Sequence, residues 1–273
     1  MNVGIIGTGN MGKILIEAFI KSSAIKEQNL YIMNRTKEKA EQIQKEYPNI
    51  HVVDTAKDIV NHTQYIFICI KPLDIYPLLR EIEPFLRQEQ CIISITSPIS
   101  VKQLESIVPC TVVRVIPSIN NRVLYGNTLL TFGEKCPIHH QHFIEQLMSK
   151  ISTPVTIEEN ITRIASDITS CGPAFFTFLL RRFIDAAVSE TEISKEQATL
   201  LATKMIIGLG QLIEQEVYTL ETLQEKVCVK GGITGEGIKV LEEEIGDLFH
   251  HVIQQTHAKF QQEKEKINEQ FCL

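Results

Sequence analysis

Apolar and polar positions along this chain follow two different rhythms. In the first half, short β-branched runs alternate with amphipathic stretches. Val3–Ile6, Leu30–Met33, His51–Val53, Tyr65–Ile70, Cys91–Ile95, Thr111–Ile116, Leu129–Phe132 and Val155–Ile157 read as strands. Tyr65–Ile70 is apolar throughout, the pattern of a strand covered on both faces. Between the strands, the segment from Met11 to Ser22 places Met11, Ile14, Leu15, Ala18 and Phe19 on one helical face. Lys37–Tyr47 is helical up to Pro48, and Ile75–Phe85 is helical with Pro77 in its first turn. Strand and helix in alternation imply parallel pairing through right-handed crossovers, hence an α/β fold with a doubly wound parallel sheet. Past about residue 160 the period becomes helical throughout, over Ile161–Glu190, Lys195–Glu216, Leu220–Val227 and Gly237–Phe271. Ser194 followed by Gln197 is a capping box for the second of these. The expected layout is a nucleotide-binding domain over residues 1–160 and an all-helical domain over residues 161–273.

The first strand runs into Gly7-Thr8-Gly9-Asn10-Met11-Gly12 and then a helix, with a second strand ending some 20 residues further on. That context makes the glycine spacing a Rossmann dinucleotide loop. Gly7 would make the tight turn, Gly9 would let the backbone approach a pyrophosphate, and Gly12 would let the helix pack on the sheet. A purely structural glycine turn is the competing reading. After the second strand stand Asn34, Arg35 and Thr36, where NAD sites place an Asp or Glu for the ribose 2′-hydroxyl. A guanidinium and a hydroxyl suit a 2′-phosphate instead, so the expected cofactor is NADP(H). Here the competing reading is a surface arginine beside a helix cap. Ile70-Lys71-Pro72 ends the fourth strand, at the sheet edge where the crevice lies, so Lys71 is placed to meet ribose or phosphate, or else solvent.

Composition narrows the function without choosing it. A formal net charge of −6 argues against nucleic acid or an anionic membrane as partner. No run of 18 apolar residues offers a membrane span and no secretory signal opens the chain, so a cytoplasmic protein is expected. The 7 cysteines are dispersed without metal-ligand spacing, as reduced thiols would be. His139, His140 and His142 lack a carboxylate or thiolate partner at ligand spacing, so no metal site is expected and they read as surface residues.

In the second half, Thr169-Ser170-Cys171-Gly172-Pro173-Ala174 interrupts a long helical stretch. Lys230-Gly231-Gly232-Ile233-Thr234-Gly235-Glu236-Gly237 joins two helices, and its amides could cradle a carboxylate at the start of the last one, or form a flexible turn. With these motifs, with Ile70-Lys71-Pro72 and with the opening glycine loop, the chain resembles the pyrroline-5-carboxylate reductase family over nearly its whole length. More narrowly it resembles that family's divergent late-competence branch. The resemblance implies hydride transfer from NADPH to the carbon of a cyclic imine. It implies Thr234 as the hydroxyl beside the imine nitrogen, and the loop of Lys230, Gly231, Gly232, Ile233 and Thr234 as the holder of the small substrate's carboxylate. It also implies a homodimer, or a larger ring, built through the helical domain. The related hydroxyacid dehydrogenases use a lysine just after the glycine cluster, and Phe175 to Leu180 contains none.

The chain departs from the family pattern where substrate would bind. Val229-Lys230 replaces Ser-Pro, Ile116-Pro117-Ser118-Ile119-Asn120 replaces Met-Pro-Asn-Thr-Pro, Thr96-Ser97-Pro98 replaces Ala-Ala-Gly, and Ser170-Cys171 replaces Gly-Ser. Two functions therefore fit: an imine reductase, or an NADP-binding regulator with little or no activity on the same scaffold.

Overall fold

The computed structural model describes residues 1–271. Eight strands are formed: β1 Val3–Ile6, β2 Leu30–Met33, β3 His51–Val52, β4 Tyr65–Ile68, β5 Cys91–Ser94, β6 Thr111–Ile116, β7 Asn127–Phe132 and β8 Thr153–Thr156. They make one sheet in the order β3-β2-β1-β4-β5-β6-β7-β8. The helices among them are α1 Asn10–Lys21, α2 Lys37–Glu46, α3 Ala56–His62, α4 Pro72–Ile82, α5 Val101–Glu105 and α6 Ile138–Ser149. After β8 come α7 Thr162–Ser166, a π-helical turn Asp167–Cys171, α8 Gly172–Glu190, α9 Lys195–Glu214, α10 Leu220–Val227, α11 Ile233–Ile245 and α12 Leu248–Phe271.

Successive strand residues point to opposite faces, and the core divides accordingly. Phe67 of β4 enters one apolar layer with Leu15 and Phe19 of α1 and Ile144 of α6. Its neighbours Ile66 and Ile68 enter the other, with Ile59 of α3, Ile75 and Leu79 of α4 and Leu104 of α5. The sheet is parallel, as the alternation predicts, except that β7 runs antiparallel to β6. The 117–126 connection between them holds only a short 3-10 turn, too little chain for a parallel crossover with its own helix.

The compact units do not coincide with a division at 160/161. One comprises Met1–Cys171 together with the chain from Gln255 onward; the other is Gly172–Gln254. The last helix explains the difference, because α12 leaves the helical unit and ends on the sheet domain, where Ile267 is buried in the core layer of α4 and α5. Three further expectations are corrected. Helix α4 begins at Pro72, so Pro77 lies in its interior rather than its first turn. The helix expected over Gly237–Phe271 is two helices, broken at Gly246, whose φ is +42°. Helices α3 and α5 also escape the periodicity reading, although each opens with a capping box, Thr55 with Asp58 and Ser100 with Gln103.

Candidate cofactor cleft and substrate loop

Only three residues separate β1 from α1, and the glycines make that turn possible. Gly7 has φ +99°, and a Cβ there would lie 2.5 Å from the Cys69 carbonyl oxygen. A Cβ on Gly12 would lie 2.0 Å from the Gly7 carbonyl oxygen, so only glycine lets α1 pack this closely. At Gly9 nothing stands within 4 Å, and the position opens on the cleft. The three roles read from the sequence are thus three different steric situations.

Gly9 is also the N-cap of α1, with no side-chain cap bond and no acidic residue in the first turn. The leading amides and the positive end of the helix dipole are left for an anion. The loop is tied to the end of β2: the Gly7 amide donates to Met33 O at 2.8 Å and the Thr8 amide to Asn34 Oδ1 at 3.0 Å. Asn34 Nδ2 in turn donates to Thr36 O at 2.9 Å. Asn34 therefore joins the two loops, and Thr8 Oγ1 is left buried without a partner.

A cleft of about 520 Å³ lies over the carboxyl ends of β1, β2 and β4. Gly7, Gly9, Asn34, Arg35, Thr36, Ile70 and Lys71 line it, and α4 supplies its far wall through Asp74, Pro77, Leu78 and Glu81. Met11, Gly12 and Pro72 do not line it; Gly12 serves packing and Pro72 is the first residue of α4. Thr8 and Asn10 instead line an adjoining depression of about 250 Å³.

Three cations border the cleft: Arg35, Lys71 and Lys39. Lys39 escapes the sequence reading, although its place four residues after Arg35 across a helix start is a usable signal. Lys37 between them is paired with Asp54 at 2.6 Å. Thr36 is the N-cap of α2, yet its hydroxyl makes no cap bond. In the depression, Lys39 recurs, unpaired among the described residues, but the other two cations are neutralised: Lys13 meets Glu46 at 3.2 Å and Glu17 at 3.5 Å, and Arg122 meets Glu17 at 3.4 Å. The Glu46 hydrogen bond is the main cause holding the Lys13 pKa above its ordinary value. Cys69 lies on the cleft floor, where burial pushes its thiol well up and keeps it protonated.

The loops after β5 and β6 are secured from within the sheet domain. Arg114, a charged residue in the middle of β6, is fully buried. It donates to Glu159 at 2.8 Å, to Thr162 Oγ1 at 2.6 Å and to Thr131 Oγ1 at 3.1 Å. Longer bonds reach Ser97 O and Ile99 O. Ser118 and Ser170, both departures from the family pattern, form a reciprocal clasp. Ser118 Oγ donates to Thr169 O at 2.8 Å, and Ser170 Oγ donates to Pro117 O at 3.2 Å. Their hydroxyls thus bind the loop after β6 to the π-helical turn.

In the helical unit, Lys230 to Thr234 stand together at the head of α11. Gly231 has φ +75°, Gly232 is the N-cap without a side-chain cap bond, and the Gly232 amide donates to Val229 O at 2.8 Å. Lys230 and Thr234 are exposed, and Ile233 is 94 % exposed. The amides at this helix start and one cation are therefore presented together.

His139 and His142 are exposed, but His140 is not a surface residue: it is buried and its Nδ1 lies 3.0 Å from the Tyr65 hydroxyl. Its neighbours on the inner face of α6, Ile144, Leu147 and Met148, are core residues, which a polar triplet of histidines masks in sequence. Among the described residues no group of three His, Cys, Asp or Glu side chains could hold a metal ion, and no helix is long and apolar enough to cross a membrane. Cys272 lies outside the described residues.

Comparison with known proteins agrees with this geometry. Residues 2–98 match the family model described as NADP oxidoreductase, coenzyme F420-dependent, and residues 159–263 match pyrroline-5-carboxylate reductase dimerisation. The chain is 54 % identical to ComE operon protein 4 of Bacillus subtilis, over 99 % of both chains. It is 29 % identical to pyrroline-5-carboxylate reductase 3 of the same organism, over 98 % of both. The fold is that of the Plasmodium falciparum pyrroline carboxylate reductase solved with NADP bound, at TM-score 0.83 and 21 % identity over 98 % of each chain. It is also that of the Coxiella burnetii pyrroline-5-carboxylate reductase, at TM-score 0.84 and 20 % identity over 97 % of this chain and 98 % of that one. With a Rossmann sheet, a helical second unit and a relative this similar along its full length, the chain belongs to the pyrroline-5-carboxylate reductase family of NADP-dependent oxidoreductases.

Proposed function

We propose that this protein binds NADP(H) in the cleft over β1, β2 and β4 and reduces a cyclic imino acid, pyrroline-5-carboxylate or a close analogue. The observation that carries the reading is the glycine loop itself. Its uncapped helix start, its open Gly9 and the buried Thr8 hydroxyl, unpartnered among the described residues, together leave donors for a pyrophosphate. Arg35 and Lys39, which enter no ion pair among the described residues, are the charges for a 2′-phosphate, with Thr36 as a hydroxyl donor and Lys71 toward the ribose. When bound, the reduced nicotinamide supplies a hydride from its C4.

The chain's own residues do the rest. The amides of Ile233 and Thr234 hold the substrate carboxylate, the Gly232 amide being already bonded to Val229 O, with Lys230 adding a positive charge beside it. The Thr234 hydroxyl bonds the imine nitrogen, which is basic enough that one hydroxyl suffices in place of a strong general acid. The Phe175–Leu180 stretch carries no lysine to serve a ketone, which favours C=N over C=O as the bond reduced.

The protein acts as a cytoplasmic homodimer assembled through its helical unit. The dimerisation model covers 159–263, and Phe176, Phe178, Phe183, Leu200 and Leu201 in that unit are each more than half exposed, more apolar surface than a monomer carries. Light scattering in dilute solution should return twice the chain mass.

A second reading has its own support. Val229 and Lys230 replace the family's Ser-Pro, and the 54 % identical relative is named for an operon rather than a reaction. In this reading the protein is an NADP-binding regulator. Purified protein with NADPH and pyrroline-5-carboxylate separates the two. Steady NADPH oxidation establishes the reductase; tight NADPH binding without turnover on any cyclic imino acid establishes the regulator; no affinity for NADPH removes both.

A further inference from the structure

Helix α4 contains a break that a distant part of the chain repairs. Pro77 stands inside the helix and has no N–H, so the Leu73 carbonyl four residues earlier loses its helical partner. The side chain of Gln270 supplies a replacement, its Nε2 donating to Leu73 O at 3.2 Å. Gln270 lies in the last turn of α12, and its neighbours dock on the same surface. The Phe271 ring meets Tyr76 of α4 edge-on, with centroids 5.0 Å apart. Ile267 is 1 % exposed in the layer that holds Ile75 and Leu79, and Asn268 Oδ1 accepts from Gln103 Nε2 at 2.9 Å. All of these contacts lie beyond residue 263, where the match to the dimerisation model ends.

The helix so repaired is a wall of the cofactor cleft. Its first turn carries Leu73 between Lys71 and Asp74, both of which line the cleft, and Pro77 itself faces it. A free Leu73 carbonyl would turn toward water, and the turn that presents Lys71 and Asp74 would lose its fixed direction.

We propose that the end of α12 is a working part of the nucleotide site, with Gln270 a positioning residue that completes α4 across Pro77. Gln270 acts through α4 and makes no contact with the nucleotide. The proposal rests on reading the cleft as the NADP(H) site, and its test separates the two.

Full-length wild type, Gln270→Leu, Pro77→Ala and the double variant are titrated with NADPH, and amide hydrogen exchange of α4 is followed without nucleotide. Removing one such hydrogen bond should weaken NADPH binding by about three- to ten-fold and speed exchange in the first turns of α4. Alanine at 77 restores an N–H for Leu73 O, so in that background Gln270→Leu should change affinity by less than about two-fold, the loss of coupling expected when two changes act on one bond. Wild-type affinity in Gln270→Leu overturns the proposal, even if exchange is faster, because Gln270 would then only steady the fold. An equal loss in both backgrounds overturns it too, because the effect would not pass through the Leu73 carbonyl. Wild type without affinity for NADPH sinks the cofactor reading instead, and unchanged exchange in Gln270→Leu then also removes the repair of α4.

Discussion

Two glycine-rich turns in this molecule look alike in sequence and differ in what makes their glycines necessary. In the turn after β1, Gly7 and Gly12 would each drive a Cβ to within 2.5 Å or less of backbone oxygen. At the head of α11, a Cβ on the N-cap Gly232 would lie 2.9 Å from the Val229 carbonyl oxygen, but nothing lies within 4 Å of a Cβ at Gly231 before it or at Gly237 within the helix, and at Gly235 the nearest atom is the Cys228 sulfur at 3.6 Å. Of these last three only Gly231, at φ +75°, is held to glycine by its backbone. The first turn is shaped by its own protein's packing. The second is open within its own unit at Gly231, Gly235 and Gly237 and closed only at Gly232, and that open space is where we propose the substrate carboxylate. A glycine motif is therefore informative about a ligand only after the glycines demanded by packing have been set aside.

Substitution at the two turns breaks this comparison most sharply. Gly12→Ala should lower NADPH affinity by at least about a hundred-fold and destabilise the fold, because α1 must move off the sheet to clear the Gly7 carbonyl. Gly237→Ala, inside α11, should instead be neutral or stabilising by about 0.5–1 kcal/mol, since alanine loses less entropy in a helix. Thermal unfolding and NADPH titration of both variants check the contrast; equal destabilisation would show that the second turn is as tightly packed as the first.

Thr234→Val probes the second turn's chemistry. A lost hydrogen bond to the imine nitrogen should reduce kcat by roughly ten- to a hundred-fold with NADPH affinity unaltered. A parallel loss of NADPH affinity would place Thr234 in the cofactor site rather than beside the imine. Across the cleft, after β2, Arg35→Ala and Lys39→Ala should each raise the KM for NADPH about ten-fold and leave that for NADH nearly unchanged. Equal effects on both cofactors would remove the 2′-phosphate from that end of the cleft.

The smallest effect concerns the sheet domain alone. Burial holds the His140 pKa below its ordinary value, so the folded state keeps this imidazole neutral while the unfolded chain takes up a proton. The unfolded state then binds more protons as pH falls below about 6.5, so stability drops through that range and levels off below the folded-state value. His140→Gln should flatten this part of the stability–pH curve, measured by denaturant unfolding between pH 7 and pH 5. An unchanged slope would mean that another group in the domain carries the acid sensitivity.

The readings that succeeded from sequence share a physical basis. The strands of the first half, the tight glycine turn after β1 and the Ser194 capping box all express local periodicity, turn sterics or capping, which neighbouring residues decide among themselves. The same local signals were present for α3 and α5 in Thr55 with Asp58 and Ser100 with Gln103, and for Lys39 after Arg35. His140 failed differently, because a histidine next to exposed histidines gives no local sign that a tyrosine hydroxyl from β4 awaits it in the core.

The amino-acid sequence by itself determined a parallel Rossmann core, a helical remainder and a tight glycine turn at the head of α1, because each follows from spacing along a few adjacent residues. Only the tertiary structure decided that β7 turns antiparallel, that Arg114 is a buried tie and that Ser118 and Ser170 spend their hydroxyls on each other's loops. It also decided that Gln270 finds a carbonyl 197 residues away. Partners so far apart in the chain meet through the packing of whole elements, and no pattern within a single element encodes which surface it will reach.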